Sequence, residues 1–295
     1  MSFPQTRAGE HEALREAIEE RLDQAVTSIA PTRLRASARH VVEGGKRIRP
    51  LLTLMACGAA GGRPLDAIEP AVAVELLHVA LLVHDDIMDG ADLRRGRSTL
   101  HVLHGVPAAI LAGDALVALA FQLLASSNHP NRDLILREYS STYLALCEGQ
   151  SDDIDGDGAR LLDSAAHDDM VRKKTAELLG SALALGAMSA TRDASLIGSL
   201  RQFGVHLGMA YQAKDDLLEI TGDEQGLGKR PGADARNGRR TYLTMAYPEV
   251  DTAAGVHLVV SEQTSAALRE LGNLPPSPWR DQCEVVARML AEREA

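Results

Sequence analysis

The stretch VELLHVALLVHDDIMD, residues 74–89, is apolar on nearly every face of a helix before it ends in three acids. A helix that is apolar all round lies in the centre of a helical protein. Apolar residues recur at helical spacing along most of the chain, and no period of two is sustained long enough for a sheet. We therefore predict an all-α fold, a single large bundle of ten or more helices around one or two central ones.

The composition supports this prediction and excludes some functions. Hydrophobic residues make up 45% of the 295 residues but aromatic ones only 3%, and Ala and Leu are abundant, which favours helix over sheet. The net charge of -10 argues against general nucleic-acid binding, which needs a basic surface. No linker-like change of composition interrupts the chain, so we expect residues 1–295 to form a single domain.

Cysteine usage and apolar segments favour a cytoplasmic protein. Three cysteines cannot all pair within one chain, so we expect reduced thiols. The first twenty residues are too acidic for a signal peptide. The apolar stretches near 71–83 and 106–125 are interrupted by polar residues, so we expect no transmembrane segment. The isolated cysteines are Cys57, Cys147 and Cys283.

A coarse reading of periodicity places further helices along the rest of the chain. The charged segment 222–240 is interpreted as a loop, and two or three shorter helices follow it. The expected central and C-terminal helices cover about 108–127, 131–150, 167–190 and 194–220.

The first acidic motif is HDDIMD, residues 84–89. Asp85 and Asp89 are four apart and share a helix face, with Asp86 about 100° round. Unpaired carboxylates at the end of a buried helix would repel one another and lose hydration, and a divalent cation removes both penalties. Oxygen-only ligands favour Mg²⁺. The alternative for this motif alone is a solvated acidic helix end.

A second acidic motif, KDDLLE at 214–219, has the same spacing and also follows an apolar helix. Asp215 and Glu219 share a face, and Asp216 lies beside them. Two such clusters at the same end of two buried helices can face each other across a cavity and share several Mg²⁺ ions. Chance is a poor explanation for the pair.

The acidic run DIDGDG, residues 153–158, is interpreted differently. It looks like the start of a calcium loop, but the twelfth position, which needs a bidentate Glu, is Ser164. A solvated acidic loop is the simpler interpretation.

Basic motifs accompany the acids. GGKRIRP at 44–50 places three cations at the start of a helix, where free N–H groups and the helix dipole favour an anion. RRG at 94–96 follows the first acidic motif and provides either ion pairs or a grip on a diphosphate bridged by Mg²⁺. Lys174-Thr175 and Gly228-Lys229-Arg230 supply further cations.

Together these motifs resemble the trans-isoprenyl diphosphate synthases (polyprenyl synthetases), over about residues 40–245. The resemblance implies the isoprenoid synthase fold and a Mg²⁺-dependent prenyl transfer, in which isopentenyl diphosphate is condensed with an allylic diphosphate and pyrophosphate is released, with three Mg²⁺ per active site. The matching segments are GGKRIRP, HDDIMD, RRG, GD at 113–114, GQ at 149–150, KT at 174–175, YQAKDDLLE at 211–219 and GKRPGAD at 228–234.

The resemblance also assigns roles by position. Gln212 and Thr175 would lie beside the reacting carbons. The pocket for isopentenyl diphosphate would be formed by Lys46, Arg49, His78 and Arg95. The metal would be held by Asp85, Asp89 and Asp215, supported by Asp86, Asp216 and Glu219. The allylic diphosphate would be held by Arg94, Lys174 and Lys229, with Arg239 as a further substrate-binding residue.

Two positions depart from the family pattern. The second acidic motif usually ends in Asp, whereas this chain has Glu219, which a water-mediated role should tolerate. The segment 239–241 reads Arg-Arg-Thr where the family commonly has Lys-Thr or Lys-Ser, so the charge is kept but the geometry differs.

Product length should depend on the depth of the cavity beneath Asp85. In the family a bulky aromatic at the positions matching Ala80 or Leu81 commonly stops growth early, and neither is aromatic here. We therefore expect a C20 product, with longer chains or C15 as alternatives. Phe121 is the candidate for a deeper stop, or else an ordinary core residue.

Two alternative functions and one mode of assembly are consistent with parts of this sequence. A class I terpene cyclase has no need of an isopentenyl diphosphate pocket, and a non-catalytic synthase subunit would be free to lose its aspartates. Homodimers are usual in the family, and the apolar helix near 108–127 is a candidate interface.

Overall fold

The computed structural model describes residues 8–155, 164–221 and 252–291. The chain forms two compact units, Met1–Glu138 with Leu185–Arg192, and Tyr139–Ala184 with Asp193–Ala295. The predicted all-α class with ten or more helices is confirmed within the described ranges. The single domain expected for residues 1–295 stays a prediction.

The first unit is built around one helix that is buried on every face. This helix, α4 (Ile68–Met88), is continuously buried from Pro70 to Leu77, as its all-round apolar sequence predicts. It packs against α3 (Ile48–Ala59) and α6 (Val106–Ser126) and is also contacted by α1 (Ala8–Thr27) and α2 (Thr32–Val42). The helices of this unit are α1 (Ala8–Thr27), α2 (Thr32–Val42), α3 (Ile48–Ala59), a 3₁₀ turn (Pro64–Ala67), α4, α5 (Leu100–His104) and α6 (Val106–Ser126).

A small β-hairpin follows α4, which sequence periodicity did not predict. Its strands β1 (Leu93–Arg94) and β2 (Arg97–Ser98) pair antiparallel. The turn residues Arg95 and Gly96 both have positive φ, of 52° and 75°. Strands of two residues are too short to show an alternating pattern, which explains why the hairpin was missed.

The second unit has α10 as its longest helix. This helix, α10 (Ala194–Thr221), packs along α11 (Thr252–Gly272) and against a five-residue π-helical turn, Arg172–Ala176. That turn interrupts the single helix expected over 167–190. The elements of this unit are the larger part of α7 (Arg132–Asp155), α8 (Ser164–Val171), the π turn, most of α9 (Glu177–Met188), α10 (Ala194–Thr221), α11 (Thr252–Gly272) and α12 (Pro278–Ala291).

Two further sequence expectations bear on the fold. All three cysteines are free thiols, as expected. By length and composition, two helical segments of the described ranges are apolar enough to cross a membrane, Pro64–Met88 and Val106–Ser126. The apolar window of the first is 67% buried and that of the second 39%. The expected absence of a transmembrane segment therefore stays a prediction.

Candidate active site

The first acidic motif lies at the C-terminal end of α4. The Asp89 N–H caps the helix by donating to the Asp85 carbonyl at 2.8 Å. Asp85 is half-buried and Asp89 exposed, and helical spacing puts both carboxylates on one face. Asp86 is turned to another side and is buried. The structure therefore separates one carboxylate from the two that were predicted to bind metal.

Asp86 is the partner of Arg94. Arg94 Nε and Nη2 both donate to Asp86 Oδ1, at 2.7 and 2.6 Å. A charge-assisted contact of this kind holds a guanidinium in a defined orientation. Asp86 thus fixes Arg94 on β1, and the supporting role at the metal that the resemblance implies for Asp86 stays a prediction.

The three cations of the GGKRIRP segment differ in burial and in their contacts. Arg47 has a left-handed backbone (φ 52°) and a buried side chain. Its guanidinium donates to Glu75 at 2.7 Å, to Glu19 at 2.8 Å and to the Val42 carbonyl at 2.7 Å. Removing one partner from a buried ion pair typically costs about 3–5 kcal/mol. Arg47 therefore stabilises the loop internally, and it is not among the residues assigned to the diphosphate pocket.

The other cations of the segment flank Arg47. Lys46 is exposed in the loop, and its carbonyl accepts a hydrogen bond from Arg15 at 2.7 Å. Arg49, in the first turn of α3, is half-buried and lies 3.3 Å from His78 Nε2 through its Nη1. Because a guanidinium only donates, His78 Nε2 must be the acceptor in this contact.

His78 is a neutral residue in a cationic surrounding. Burial lowers its pKa well below the ordinary value, and the positive charges of Arg49, Arg95, Arg94 and Arg47 lower it further. A neutral imidazole with Nε2 as acceptor matches the contact with Arg49. The charge of this pocket is therefore carried by arginine and lysine.

Arg95 reaches the GGKRIRP segment from the tip of the hairpin. Its Nη1 lies 2.8 Å from the position that a Cβ on Gly45 would occupy, and Gly45 has a φ of 100°. Only glycine allows both this backbone and this approach. The first unit thus brings Arg49, His78 and Arg95 together beside the loop that carries Lys46, as predicted.

A further polar contact lies beside the acidic motif. His84 Nε2 lies 3.6 Å from Asp114 Oδ1 on α6. The GD segment at 113–114 is thereby placed next to the end of α4.

In the second unit, the π turn presents the predicted residues Lys174 and Thr175. A Cβ on Gly149 would lie 2.5 Å from the backbone N of Lys174, so α7 and the π turn approach at a glycine. Thr175 Oγ1 donates to Gln212 Oε1 at 3.2 Å, and Gln212 Nε2 donates to Asp216 Oδ1 at 2.8 Å. The turn is therefore connected to the second acidic motif on α10.

Asp153 is a site residue that the sequence analysis missed. Lys174 Nζ forms an ion pair with Asp153 Oδ2 at the end of α7. The interpretation of 153–158 as a solvated acidic loop is wrong for residues 153–155, which lie on α7. Residues 156–158 are outside the described ranges. The available signal was the position of Asp153, one helical turn after Gly149-Gln150 on the same helix.

Glu177 fixes the C-terminal end of the π turn. It is buried and pairs with Arg172 at the start of the turn and with Arg201 on α10. A buried carboxylate with two arginine partners resists rearrangement because either break leaves an unpaired charge. This residue carried no sequence signal of its own.

The second acidic motif lies on α10. Asp215 is half-buried and Asp216 buried. The side chain of Glu219, and the predicted substrate-binding residues Lys229 and Arg239, lie outside what the structure describes. Among the described residues, no three His, Cys, Asp or Glu side chains converge on one metal position. The expected pairing of the two acidic motifs across one cavity stays a prediction.

Comparison with known proteins identifies the family. The model of the polyprenyl synthetase family matches residues 31–267. The chain belongs to the polyprenyl synthetase family. Geranylgeranyl pyrophosphate synthase of Geoglobus acetivorans is 36% identical over 231 residues, which is 77% of this chain and 72% of that protein. Farnesyl diphosphate synthase of Geobacillus stearothermophilus is 35% identical over 270 residues, 88% of this chain and 89% of the relative.

Solved structures of polyprenyl synthetases agree with this assignment. Geranylgeranyl pyrophosphate synthetase from Pyrococcus horikoshii superposes with a TM-score of 0.92 at 31% identity, covering 97% of this chain and 98% of that one. A Caulobacter crescentus polyprenyl synthase, solved with calcium and isoprenyl diphosphate, gives 0.85 at 28% identity and 97% coverage of both chains. The predicted isoprenoid synthase fold is confirmed.

Proposed function

We propose that this polyprenyl synthetase condenses isopentenyl diphosphate with an allylic diphosphate to give a longer trans-isoprenyl diphosphate and pyrophosphate, with C20 favoured. Family membership makes the chain a trans-prenyltransferase. Relatives named geranylgeranyl synthases are 36%, 35% and 34% identical, which supports C20. Relatives named farnesyl and geranylfarnesyl synthases, 35% and 36% identical, support the alternatives of a shorter or longer product.

The observation that carries the proposal is the cationic pocket of the first unit. Arg49 and Arg95 converge near a neutral His78. The neighbouring Arg47 of the same loop is buried in ion pairs. Two guanidinium groups held around a neutral imidazole suit a diphosphate. In the proposal Lys46, Arg49, His78 and Arg95 hold isopentenyl diphosphate, which a terpene cyclase does not use.

The allylic diphosphate is proposed to be bound by a second set of cations and, through Mg²⁺, by the acidic motifs. Arg94, oriented by Asp86, and Lys174, presented by the π turn, would contact its diphosphate, with Lys229 and Arg239 assisting. Asp85, Asp89 and Asp215 offer only carboxylate oxygens, and this donor set fits Mg²⁺ better than a transition metal. Three Mg²⁺ ions are proposed; when bound, they supply Lewis-acid stabilisation of the departing pyrophosphate.

The side chains then act by orientation and charge. Departure of pyrophosphate leaves an allylic cation, which the double bond of isopentenyl diphosphate attacks, and a proton is then lost to the pyrophosphate. Thr175 and Gln212 form one hydrogen-bonded unit, and we propose that it lines the reacting carbons. Stabilising the separated charges in a site closed to water is the main contribution of the protein.

The proposal is tested by product analysis of the purified protein. It should convert isopentenyl diphosphate and farnesyl diphosphate to a C20 diphosphate when Mg²⁺ is present and lose activity when EDTA removes the metal. Mass spectrometry of the dephosphorylated products gives their length. Hydrolysis of farnesyl diphosphate, or its cyclisation without use of isopentenyl diphosphate, would contradict the proposed reaction.

Assembly and location are part of the same proposal. Helix α6 exposes Ile110 by 43% and Leu111 by 60%, a large apolar exposure for one helix face. We propose that this face forms the interface of a homodimer, and that the enzyme is cytoplasmic, in keeping with its reduced cysteines.

A further inference from the structure

The hairpin that carries Arg94 and Arg95 has little support of its own. Each strand is two residues long, and two-stranded hairpins are marginally stable in water. Leu93 is 64% exposed, so this side chain does not anchor the hairpin in the core. Arg95 also has a left-handed backbone, a conformation that costs a non-glycine residue energy. Contacts from outside the hairpin must therefore hold it in place.

Each strand is held by a different helix. β1 is fixed to α4 by the ion pair of Arg94 with Asp86. β2 is fixed to the C-terminal end of α2 by His40, whose Nε2 lies 3.3 Å from the Ser98 carbonyl and whose Nδ1 lies 3.0 Å from Arg97 Nη2. His40 is thus the residue of α2 that contacts both residues of β2.

The chemistry of these two contacts defines the state of His40. A carbonyl only accepts, so Nε2 must carry the hydrogen, and a guanidinium only donates, so Nδ1 must carry the lone pair. The neutral Nε2–H imidazole therefore satisfies both contacts at once. The same Arg97 Nη2 also donates to Glu43 at 3.2 Å, so the end of α2 holds β2 through two side chains.

The space behind the hairpin is open. A cleft of about 70 Å³ lies between the hairpin, α2 and α4, and its walls include His40, Val79, Val83, Asp86 and Arg94. Because no described side chain fills this cleft, loss of the His40 contacts leaves the hairpin room to shift. Small displacements of substrate-binding groups have large kinetic effects.

We propose that His40 is a positioning residue, which holds Arg94 and Arg95 in their diphosphate-binding geometry by fixing β2. The proposal rests on the proposed function, in which these two arginines bind the substrates. His40 itself contacts no substrate, and it acts through Arg97 and Ser98.

The test compares His40→Ala and His40→Gln with the control His104→Ala, which removes an exposed histidine of α5 in the same unit. His40→Ala should raise the KM for isopentenyl diphosphate, and its Kd measured by calorimetry, on the order of 10-fold, with a smaller change in kcat. A glutamine amide offers one donor and one acceptor, so His40→Gln should restore both constants to within about 3-fold. The control should match the wild type.

A double-mutant cycle identifies the route of the effect. Arg97→Ala should produce a similar rise in KM, and the double variant should be no worse than either single one, because both remove the same support. If His40→Ala does not fold, the KM and Kd of Arg97→Ala for isopentenyl diphosphate provide the test. A folded His40→Ala or Arg97→Ala enzyme with unchanged constants overturns the positioning role, and so does a glutamine variant as impaired as the alanine one. Absence of product from the wild type would instead contradict the proposed function.

Discussion

At the scale of single residues, charge in the first unit is distributed by burial. Arg47 and Glu75 form a buried pair, and Asp86 is engaged by Arg94, whereas Lys46 stays exposed and Arg49 faces a neutral His78. The ion pairs of Arg47 and Arg94 therefore fix the loops beside the proposed diphosphate site. A pocket organised in this way loses little energy to rearrangement when a diphosphate enters.

The depressed pKa of His78 predicts a loss of stability in mild acid. The unfolded chain binds a proton on this residue near pH 6.5, but the folded chain does not, because of burial and the neighbouring arginines. The contribution of neutral His78 to the free energy of unfolding is thus present above about pH 6.5 and lost as the pH falls below that value. Urea denaturation between about pH 5 and pH 7 should show a weaker pH dependence for His78→Gln than for the wild type.

The acidic residues with lowered pKa act in a separate window. Asp66, Asp133 and Asp169 have pKa values lowered from 3.8, so their stabilising contributions are lost only as the pH falls below that value. They do not obscure the effect of His78. Equal slopes for the two proteins in mild acid would contradict the assignment of a neutral His78.

At the scale of elements, the π turn depends on close approach by α7. We expect Gly149→Ala to displace the turn, because the new Cβ would lie 2.5 Å from Lys174 N, and to lower kcat on the order of 10- to 100-fold. Gly198→Ala on α10 is the matched control, since a Cβ there meets nothing within 4 Å. The control should keep full activity and gain up to about 1 kcal/mol of stability. Equal activity of the two variants would show that the turn tolerates the shift.

The face of α4 below Asp85 predicts how product length is controlled. Leu81 precedes Asp85 by one turn and is half-buried, while Ala80 is fully buried. A phenylalanine at either position should shorten the product towards C15, most cleanly at position 81, where less repacking is needed. Phe121→Ala should lengthen the product if Phe121 is the deeper stop. An unchanged product distribution for both phenylalanine variants, sized by mass spectrometry, would contradict this account of the cavity floor.

Sequence predicted the elements whose signals are local. Asp85 lies in the last turn of α4 and Asp89 is its C-cap, as the helical spacing predicted, and the all-round apolar pattern placed that helix at the centre of its unit. The different roles of Lys46 and Arg47 were not predictable, because they arise from Glu19 and Glu75, which are distant in sequence. The π turn and the hairpin were missed for a related reason, since both are fixed by tertiary contacts and not by periodicity.

At the scale of the whole molecule, the exposed apolar face of α6 predicts self-association. Light scattering coupled to size-exclusion chromatography should give the mass of a dimer for the wild type. Leu111→Glu should yield a monomer, because a charge in an apolar interface is costly to bury. Leu258→Glu on α11, where the leucine is 54% exposed, is the matched control and should leave the dimer intact. A dimeric Leu111→Glu protein would place the interface elsewhere.

The acidic motif at the end of α4 is proposed to bind the Mg²⁺ on which prenyl transfer depends. The direct test is the rate at which farnesyl diphosphate releases pyrophosphate in the presence of isopentenyl diphosphate and Mg²⁺, for the wild type, Asp85→Ala and Asp92→Ala. Asp85→Ala should lose at least about 10³-fold in kcat, since metal-ion stabilisation is worth several kcal/mol. Asp92→Ala, which removes an exposed carboxylate just beyond α4, should stay near the wild type, and Glu219→Asp should change the rate only modestly. A folded Asp85→Ala protein with wild-type turnover would show that Asp85 is not needed for catalysis.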